Sequence, residues 1–80
     1  MSNTTTAIKK IVMQVLGQEE IGFFNDKRKD GTRRLKFPKW LSDATATIDT
    51  IKTELINANI VVREVYYLEN KYGKSICVVY

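Results

Sequence analysis

An Asp-Gly dipeptide at residues 30 and 31 constrains the fold of this chain more than any other local feature. It lies between two apolar stretches, residues 21–24 and 35–40. The two central positions of a type I′ turn need positive φ angles, which Asp-Gly adopts readily. The pattern therefore predicts a tight β-hairpin from Phe23 to Trp40.

A two-residue turn at Asp30-Gly31 also sets which residues of the hairpin face one another. Counting outward, the expected pairs are Lys29 with Thr32, Arg28 with Arg33, Lys27 with Arg34, Asp26 with Leu35, Asn25 with Lys36 and Phe24 with Phe37. Because side chains alternate between the faces of a strand, Phe24, Leu35 and Phe37 should face the core. The expected solvent face carries Asn25, Lys27, Lys29, Arg34 and Lys36. Pro38 lacks a backbone donor, so we expect the second strand to lie at a sheet edge near its end.

Two helices and a second hairpin account for the remaining sequence. Apolar residues at positions 8, 11, 12, 15 and 16 follow helical spacing, and Gly17 suits the C-terminal cap. Ser42 suits the N-cap of a second helix that ends near Asn57 or Asn59. Its expected buried stripe is Ala44, Ile48, Ile51 and Leu55. Strands are predicted over 61–68 and 75–80, around a turn at 70–73.

The predicted fold class is α+β with the order α-β-β-α-β-β, in which two helices cover one face of a four-stranded, mostly antiparallel sheet. The first segment is also rich in β-branched residues, which favour strands. The order β-β-β-α-β-β around a single helix is therefore an alternative. Residues 1–6 are polar and without periodicity, and we expect a flexible N-terminus there, followed by a single domain over 7–80.

Both faces of the second hairpin carry bulky side chains. Those of one face are Val65, Tyr67, Ile76 and Val78, and those of the other are Val62, Tyr66, Leu68, Cys77 and Val79. Two short helices cover only one face of a sheet. We therefore expect the second face either to be covered by another layer or to form a homodimer through the C-terminal strands.

The net charge of +4 arises within the first hairpin. Residues 26–39 hold seven positive and two negative side chains, whereas the rest of the chain holds six positive and seven negative. Like charges that oppose each other across two strands disfavour pairing, unless an anion neutralises them. The expected phosphate-binding residues are Lys27, Arg28, Lys29, Arg33, Arg34, Lys36 and Lys39, with Lys9 and Lys10 as extensions. The competing explanation is a solvated edge that is kept cationic to block aggregation.

Two aromatic residues at the base of this hairpin, Phe23 and Trp40, are candidates for stacking on nucleobases. Packing beneath a neighbouring helix is the alternative for both. The same two interpretations apply to the tyrosines, which are Tyr66, Tyr67, Tyr72 and Tyr80.

The composition argues against an active site. The chain has no histidine and one cysteine, which excludes the zinc patterns that these residues form. Cys77 lies in an apolar strand and is expected to be a buried thiol. We therefore expect a non-enzymatic protein without catalytic residues, metal or cofactor. The lone cysteine, together with the lack of a signal-like or membrane-length apolar segment, predicts a soluble, cytoplasmic protein with no membrane partner.

Three functional hypotheses follow. The first is a module that binds DNA or RNA through the basic hairpin, and the second is an inhibitor or regulator that docks this hairpin on an acidic surface of a host protein. The third is a structural protein that assembles through its C-terminal strands. In its size, lack of histidine and Lys/Ile/Asn/Thr bias, the chain resembles small accessory proteins of phages and other mobile elements. That resemblance lies in composition and implies no particular site residues.

Overall fold

A computed structural model describes residues 3–80. The elements, in chain order, are α1 (Asn3–Leu16), β1 (Phe24–Lys27), β2 (Arg33–Pro38), α2 (Ala44–Asn57), β3 (Glu64–Asn70) and β4 (Gly73–Val79). This is the α-β-β-α-β-β order predicted for an α+β fold, and the first segment is a helix. Within residues 3–80, neither helix is long and apolar enough to cross a membrane.

Helix α1 begins at Asn3, four residues before the predicted start. Residues 3–6, which we expected to be flexible, are therefore helical, whereas Met1 and Ser2 lie outside the described residues. Threonines have weak helix propensity, but Thr5 forms a tertiary hydrogen bond with the hydroxyl of Tyr80 that supports this first turn. At the other end, Gly17 has a φ of 68° and forms the predicted C-terminal cap.

Helix α2 begins one residue later than predicted. Asp43, not Ser42, is the N-cap, and its carboxylate accepts a hydrogen bond of 3.2 Å from the backbone N–H of Ala46. Ile48, Ile51 and Leu55 are buried as the helical spacing predicts.

The sheet is antiparallel throughout, with the strand order β1-β2-β4-β3. Strand β2 is an inner strand over most of its length, but beside Pro38 it has no partner on the β1 side, in line with the prediction of a sheet edge near the end of this strand. Pro38 is tolerated because pairing with β1 has already ended at Lys36. The backbone N–H of Lys39 donates to Lys74 in β4, so the nitrogen of Pro38 points to the side where no β1 partner remains.

The first hairpin has a three-residue turn, which corrects the predicted register by one residue. The backbone N–H of Arg28 donates to the carbonyl oxygen of Thr32 at 2.8 Å. The backbone N–H of Gly31 donates to the carbonyl oxygen of Arg28 at 3.2 Å. Gly31 has a φ of 88°, whereas Asp30 does not have a positive φ. This geometry is typical of a type I turn followed by a glycine bulge, the other common hairpin connection. The observed pairs are Phe24 with Lys36, Asn25 with Leu35, Asp26 with Arg34 and Lys27 with Arg33.

The core lies between the helices and one face of the sheet. From the sheet it takes Leu35, Phe37, Val65, Ile76 and Val78, and from the helices Ile8, Ile11, Val12, Ile48, Ile51 and Leu55. Ile21 completes this buried cluster.

Neither α1 nor α2 covers the opposite face, which we call the open face. Its central strand β4 nevertheless has Cys77 and Val79 buried at 0% and 3% exposure. Longer side chains of the flanking strands, Arg34, Lys36 and Tyr66, are their cross-strand neighbours and shield them. The broad exposed apolar face on which we based the homodimer prediction is therefore much smaller than expected.

Candidate functional site

The corrected register distributes the hairpin cations differently from the prediction. Arg34 and Lys36 lie on the open face, whereas Lys27 and Arg33 pair with each other on the face that carries Leu35. The predicted single cationic face, with Lys27 beside Arg34, is therefore wrong. Arg28 and Lys29 lie at the turn.

The cations at the end of the hairpin form an exposed group, the hairpin-tip cluster. Its members are Lys27, Arg28, Lys29 and Arg33. Lys27 and Arg33 are directly opposed, so one like-charge pair persists in the observed register.

Asp30 is held inside the turn of this hairpin. Its carboxylate accepts hydrogen bonds from the Oγ1 and the backbone N–H of Thr32, at 2.5 and 3.0 Å. These bonds, and then the positive charges of Arg28 and Arg63, lower the pKa of the carboxyl. Arg63 thus adds a further cation near the tip. Sequence reasoning missed it because it lies far from the hairpin in the chain, just before β3.

Arg34 is fixed on the open face by two neighbours. Its Nη2 lies 3.2 Å from Oδ2 of Asp26, and its Nη1 donates to the hydroxyl of Tyr66 at 3.4 Å. The bond to Tyr66 and then the bond to Asp26 raise the pKa of the guanidinium. Within residues 3–80, Arg34 is the only one of the seven hairpin cations that forms an ion pair.

A concave site of about 200 Å³ lies at the far end of the open face, and we call it the sheet-face groove. Its lining consists of Phe24, Lys36, Pro38, Leu68, Asn70, Tyr72, Gly73, Lys74 and Ser75. The side chains of Phe24 and Tyr72 are 60% and 85% exposed. The lining contains two lysines and no carboxylate.

The environments of Phe23 and Phe24 are the reverse of those predicted from the sequence. Phe24, expected in the core, is exposed on the open face, because the three-residue turn moves its side chain to the other face of the sheet. Phe23 instead packs against the core, 5.8 Å from the ring of Phe37, with the Lys9 ammonium 5.3 Å from its ring. Phe23 is therefore a packing residue and not a free stacking surface.

Trp40, the other predicted stacking residue, is 64% exposed. The ammonium of Lys74 lies 5.9 Å from its ring, so Lys74 joins Trp40 to the sheet-face groove. Tyr72 lies in the turn between β3 and β4, where its backbone N–H donates to the side chain of Asn70 at 2.9 Å. Its ring is exposed and does not pack beneath a helix, with the ammonium of Lys71 5.1 Å from the ring centroid.

The outlying predicted cations have distinct environments. Lys39 is half-buried beyond β2, and its carbonyl accepts a hydrogen bond from the hydroxyl of Tyr67 at 3.0 Å. Lys9 is ion-paired with Glu20 at 3.1 Å, whereas Lys10 is exposed on α1. These residues are not brought into the sheet-face groove.

The environment of the thiol and the placement of the possible metal ligands are as follows. Cys77 is buried, and this burial raises the pKa of its thiol, which disfavours the reactive thiolate. Across residues 3–80, no three His, Cys, Asp or Glu side chains gather in a way that could hold a metal ion.

Two further concave sites lie along α2 and β3. One, of about 570 Å³, includes Ile56 and Val61, which are 73% and 89% exposed, and also Glu64. The other, of about 630 Å³, includes Asp49 and Glu69. Both contain carboxylates, which distinguishes them from the sheet-face groove.

No protein-family model, curated protein or solved structure matches this chain. Functional inference therefore depends on the chemistry of the site itself. The two features that point to a ligand are the hairpin-tip cluster and the sheet-face groove.

Proposed function

We propose that this chain is a small, non-enzymatic nucleic-acid-binding module that contacts phosphates through its basic first hairpin. The observation that carries the proposal is that, within residues 3–80, six of the seven hairpin cations have no ion-pair partner. Lys27, Arg28, Lys29 and Arg33 are exposed, and Lys36 and Lys39 are half-buried.

The pairing of Lys27 with Arg33 supports an anionic partner. Directly opposed like charges destabilise an antiparallel pair, so this hairpin forms at a small electrostatic cost. A bound phosphate between the two side chains removes that cost. Arginine suits this role because its planar guanidinium donates two parallel hydrogen bonds to phosphate oxygens.

A salt titration tests the proposal. Binding of fluorescent single-stranded and duplex oligonucleotides should weaken steeply as salt rises, because each phosphate that the protein neutralises releases condensed counterions. Replacing both Lys27 and Arg33 by alanine should flatten the slope of log affinity against log salt by about one for each phosphate that is no longer neutralised. Lys52→Ala, which removes an exposed cation from α2, is the matched control and should leave the slope unchanged. Failure of every oligonucleotide to bind at low salt would contradict the proposal.

A protein partner is the second candidate, favoured by the apolar site at the end of α2. Ile56 and Val61 are exposed there beside Lys52 and Arg63. Exposed apolar side chains in a concave site are typical of protein contacts. In a pull-down after nuclease treatment, a partner that is retained by the wild-type chain and absent with the Ile56→Asp and Val61→Asp variants would support this candidate. A mass measurement in solution on the same samples tests assembly through the C-terminal strands.

A further inference from the structure

We propose that the sheet-face groove holds an unstacked nucleobase, so that the preferred ligand is a single-stranded nucleic acid. This inference rests on the proposed function and adds the strand state of the ligand and the residues that select it. It names Phe24 and Tyr72 as the stacking side chains, and Lys36 as the cation beside them.

The position of Phe24 has no explanation in the packing of the domain. Phe23 already supplies the aromatic contact with Phe37, and Phe24 is absent from the buried cluster. A phenylalanine that is 60% exposed on an edge strand leaves a large apolar surface in water. A planar ligand on that ring would bury the surface and offset its cost.

Tyr72 provides a second exposed ring in the lining of the same groove. It is carried by the turn between β3 and β4, whereas Phe24 is carried by the edge strand β1. Two aromatic residues from different hairpins therefore line one cavity of about 200 Å³. A flat aromatic ligand suits such a cavity, because stacking on side-chain rings depends on the π-face that every base offers.

The charge of the groove selects an anionic ligand. Lys36 lies in its lining on the open face, with no carboxylate among the other lining residues. An uncharged aromatic ligand would not need this lysine, and inorganic phosphate would not need the two rings. A nucleotide within a strand meets both requirements, since its base stacks while its phosphate contacts an ammonium group.

The preference for single-stranded over duplex nucleic acid follows from where the faces of the bases are accessible. In a duplex the bases are stacked on each other, and their faces are not available to a side chain. In a single strand they can be splayed onto aromatic side chains, as the groove requires. Lys36 and Arg34 continue along the open face of β2, about 7 Å apart, toward Arg28 and Lys29 at the turn. The backbone of a bound strand would follow this row from the groove to the turn, whereas Lys27 and Arg33 lie on the other face.

Fluorescence anisotropy tests the proposal. It compares the binding of single strands of about ten nucleotides, in DNA and RNA forms, with the binding of duplexes of the same sequence. Single strands should bind more tightly than duplexes. Phe24→Leu and Tyr72→Leu, which keep an apolar side chain but remove the ring, should each weaken single-strand binding roughly tenfold or more. Phe24→Tyr should retain binding, and Ile56→Ala, which truncates an exposed apolar residue at the other site, is the matched control. The salt slope should not change in the Leu variants.

Aromatic NMR spectra of the wild-type protein give a readout that does not depend on how the variants fold. The ring resonances of Phe24 and Tyr72 should shift when a single strand is added. Salt-dependent binding that is unaffected by both Leu variants, or a duplex that binds as tightly as the single strand, would overturn this inference and leave the proposed function standing. Absence of binding to every oligonucleotide would overturn both.

Discussion

Asp26 faces Arg34 across the first hairpin, and the ion pair between them measures 3.2 Å. The ion pair exists because the turn has three residues, since the predicted two-residue turn would have placed Asp26 opposite Leu35. It holds the guanidinium against the sheet beside the hydroxyl of Tyr66. It also places a carboxylate in the row of cations that leads from the sheet-face groove to the turn of this hairpin.

Asp26→Asn should increase affinity for nucleic acid. The substitution removes a negative charge from the open face and frees Arg34 for a phosphate, so we expect an increase of about two- to fivefold at low salt that fades as salt rises. The accompanying decrease in stability should be below about 1 kcal/mol, because the pair is partly exposed. Binding titrations and denaturation curves measure the two effects. Asp49→Asn makes the same change of charge on α2, and an equal increase there would show that net charge alone is responsible.

Gly31→Ala should destabilise the protein by about 1 kcal/mol. Gly31 has a φ of 88°, a left-handed conformation in which a Cβ atom comes too close to the carbonyl oxygen that follows it, although no more distant atom lies within 4 Å. Gly22→Ala is the matched control, because Gly22 does not have a positive φ and no atom within 4 Å would meet its new Cβ. Its effect should stay within about 0.5 kcal/mol. Urea denaturation of the two variants provides the comparison, and equal effects would argue against the assigned turn.

The carboxyl pKa of Asp30 should lie below its ordinary value of 3.8. Thr32→Val removes the hydroxyl that makes the largest contribution and should move this pKa back toward 3.8, while the backbone bond from residue 32 remains. Since the pKa is depressed in the folded state, the associated stability is present above pH 3.8 and is lost as pH falls through the lower folded value. An NMR titration of the carboxyl measures both values. An identical pKa in the variant would show that the hydroxyl bond does not form in solution.

The thiol of Cys77 should be unreactive in the folded protein. It has 0% exposure, and burial raises its pKa above the ordinary value of 9.0. A thiol-specific disulfide reagent at about pH 8 should therefore label the protein quickly in concentrated urea and slowly in buffer. The stability associated with the raised pKa is complete below pH 9.0 and is lost as pH rises through the higher folded value. Rapid labelling in buffer would contradict the burial of β4 on the open face.

The helices and the order of elements along the chain could be predicted because their signals are local and repeated. The spacing that includes Ile48, Ile51 and Leu55 fits only one helix face, so an error of one residue at the N-cap leaves the buried stripe unchanged. The turn at Asn70 to Gly73 was likewise predicted in place, although β3 begins at Glu64 and not at Val61.

The candidate site was only partly predictable, because it depends on a choice between two turns that share one sequence signal. Asp-Gly suits both a two-residue turn and a three-residue turn with a glycine bulge. The hydrogen bonds from Thr32 to the Asp30 carboxylate accompany the second turn in the structure. A slip of one residue moves every side chain of β1 to the other face. For this reason the grouping of the hairpin cations and the exposure of Phe24 were predicted wrongly.

Whether the turn at Lys29-Asp30-Gly31 contains an odd or an even number of residues therefore determines which side chains of β1 face the helices. Deleting or inserting one residue between Arg28 and Thr32 would exchange the two sides of β1, turning Phe24 toward the helices and separating Asp26 from Arg34. If the three-residue turn is retained, a change of two residues would return Phe24 to the open face but would pair Asp26 with a residue two positions from Arg34. Among descendants of this chain that keep this turn type, even differences should preserve which side chains of β1 lie on the open face, and odd differences should require compensating substitutions along β1.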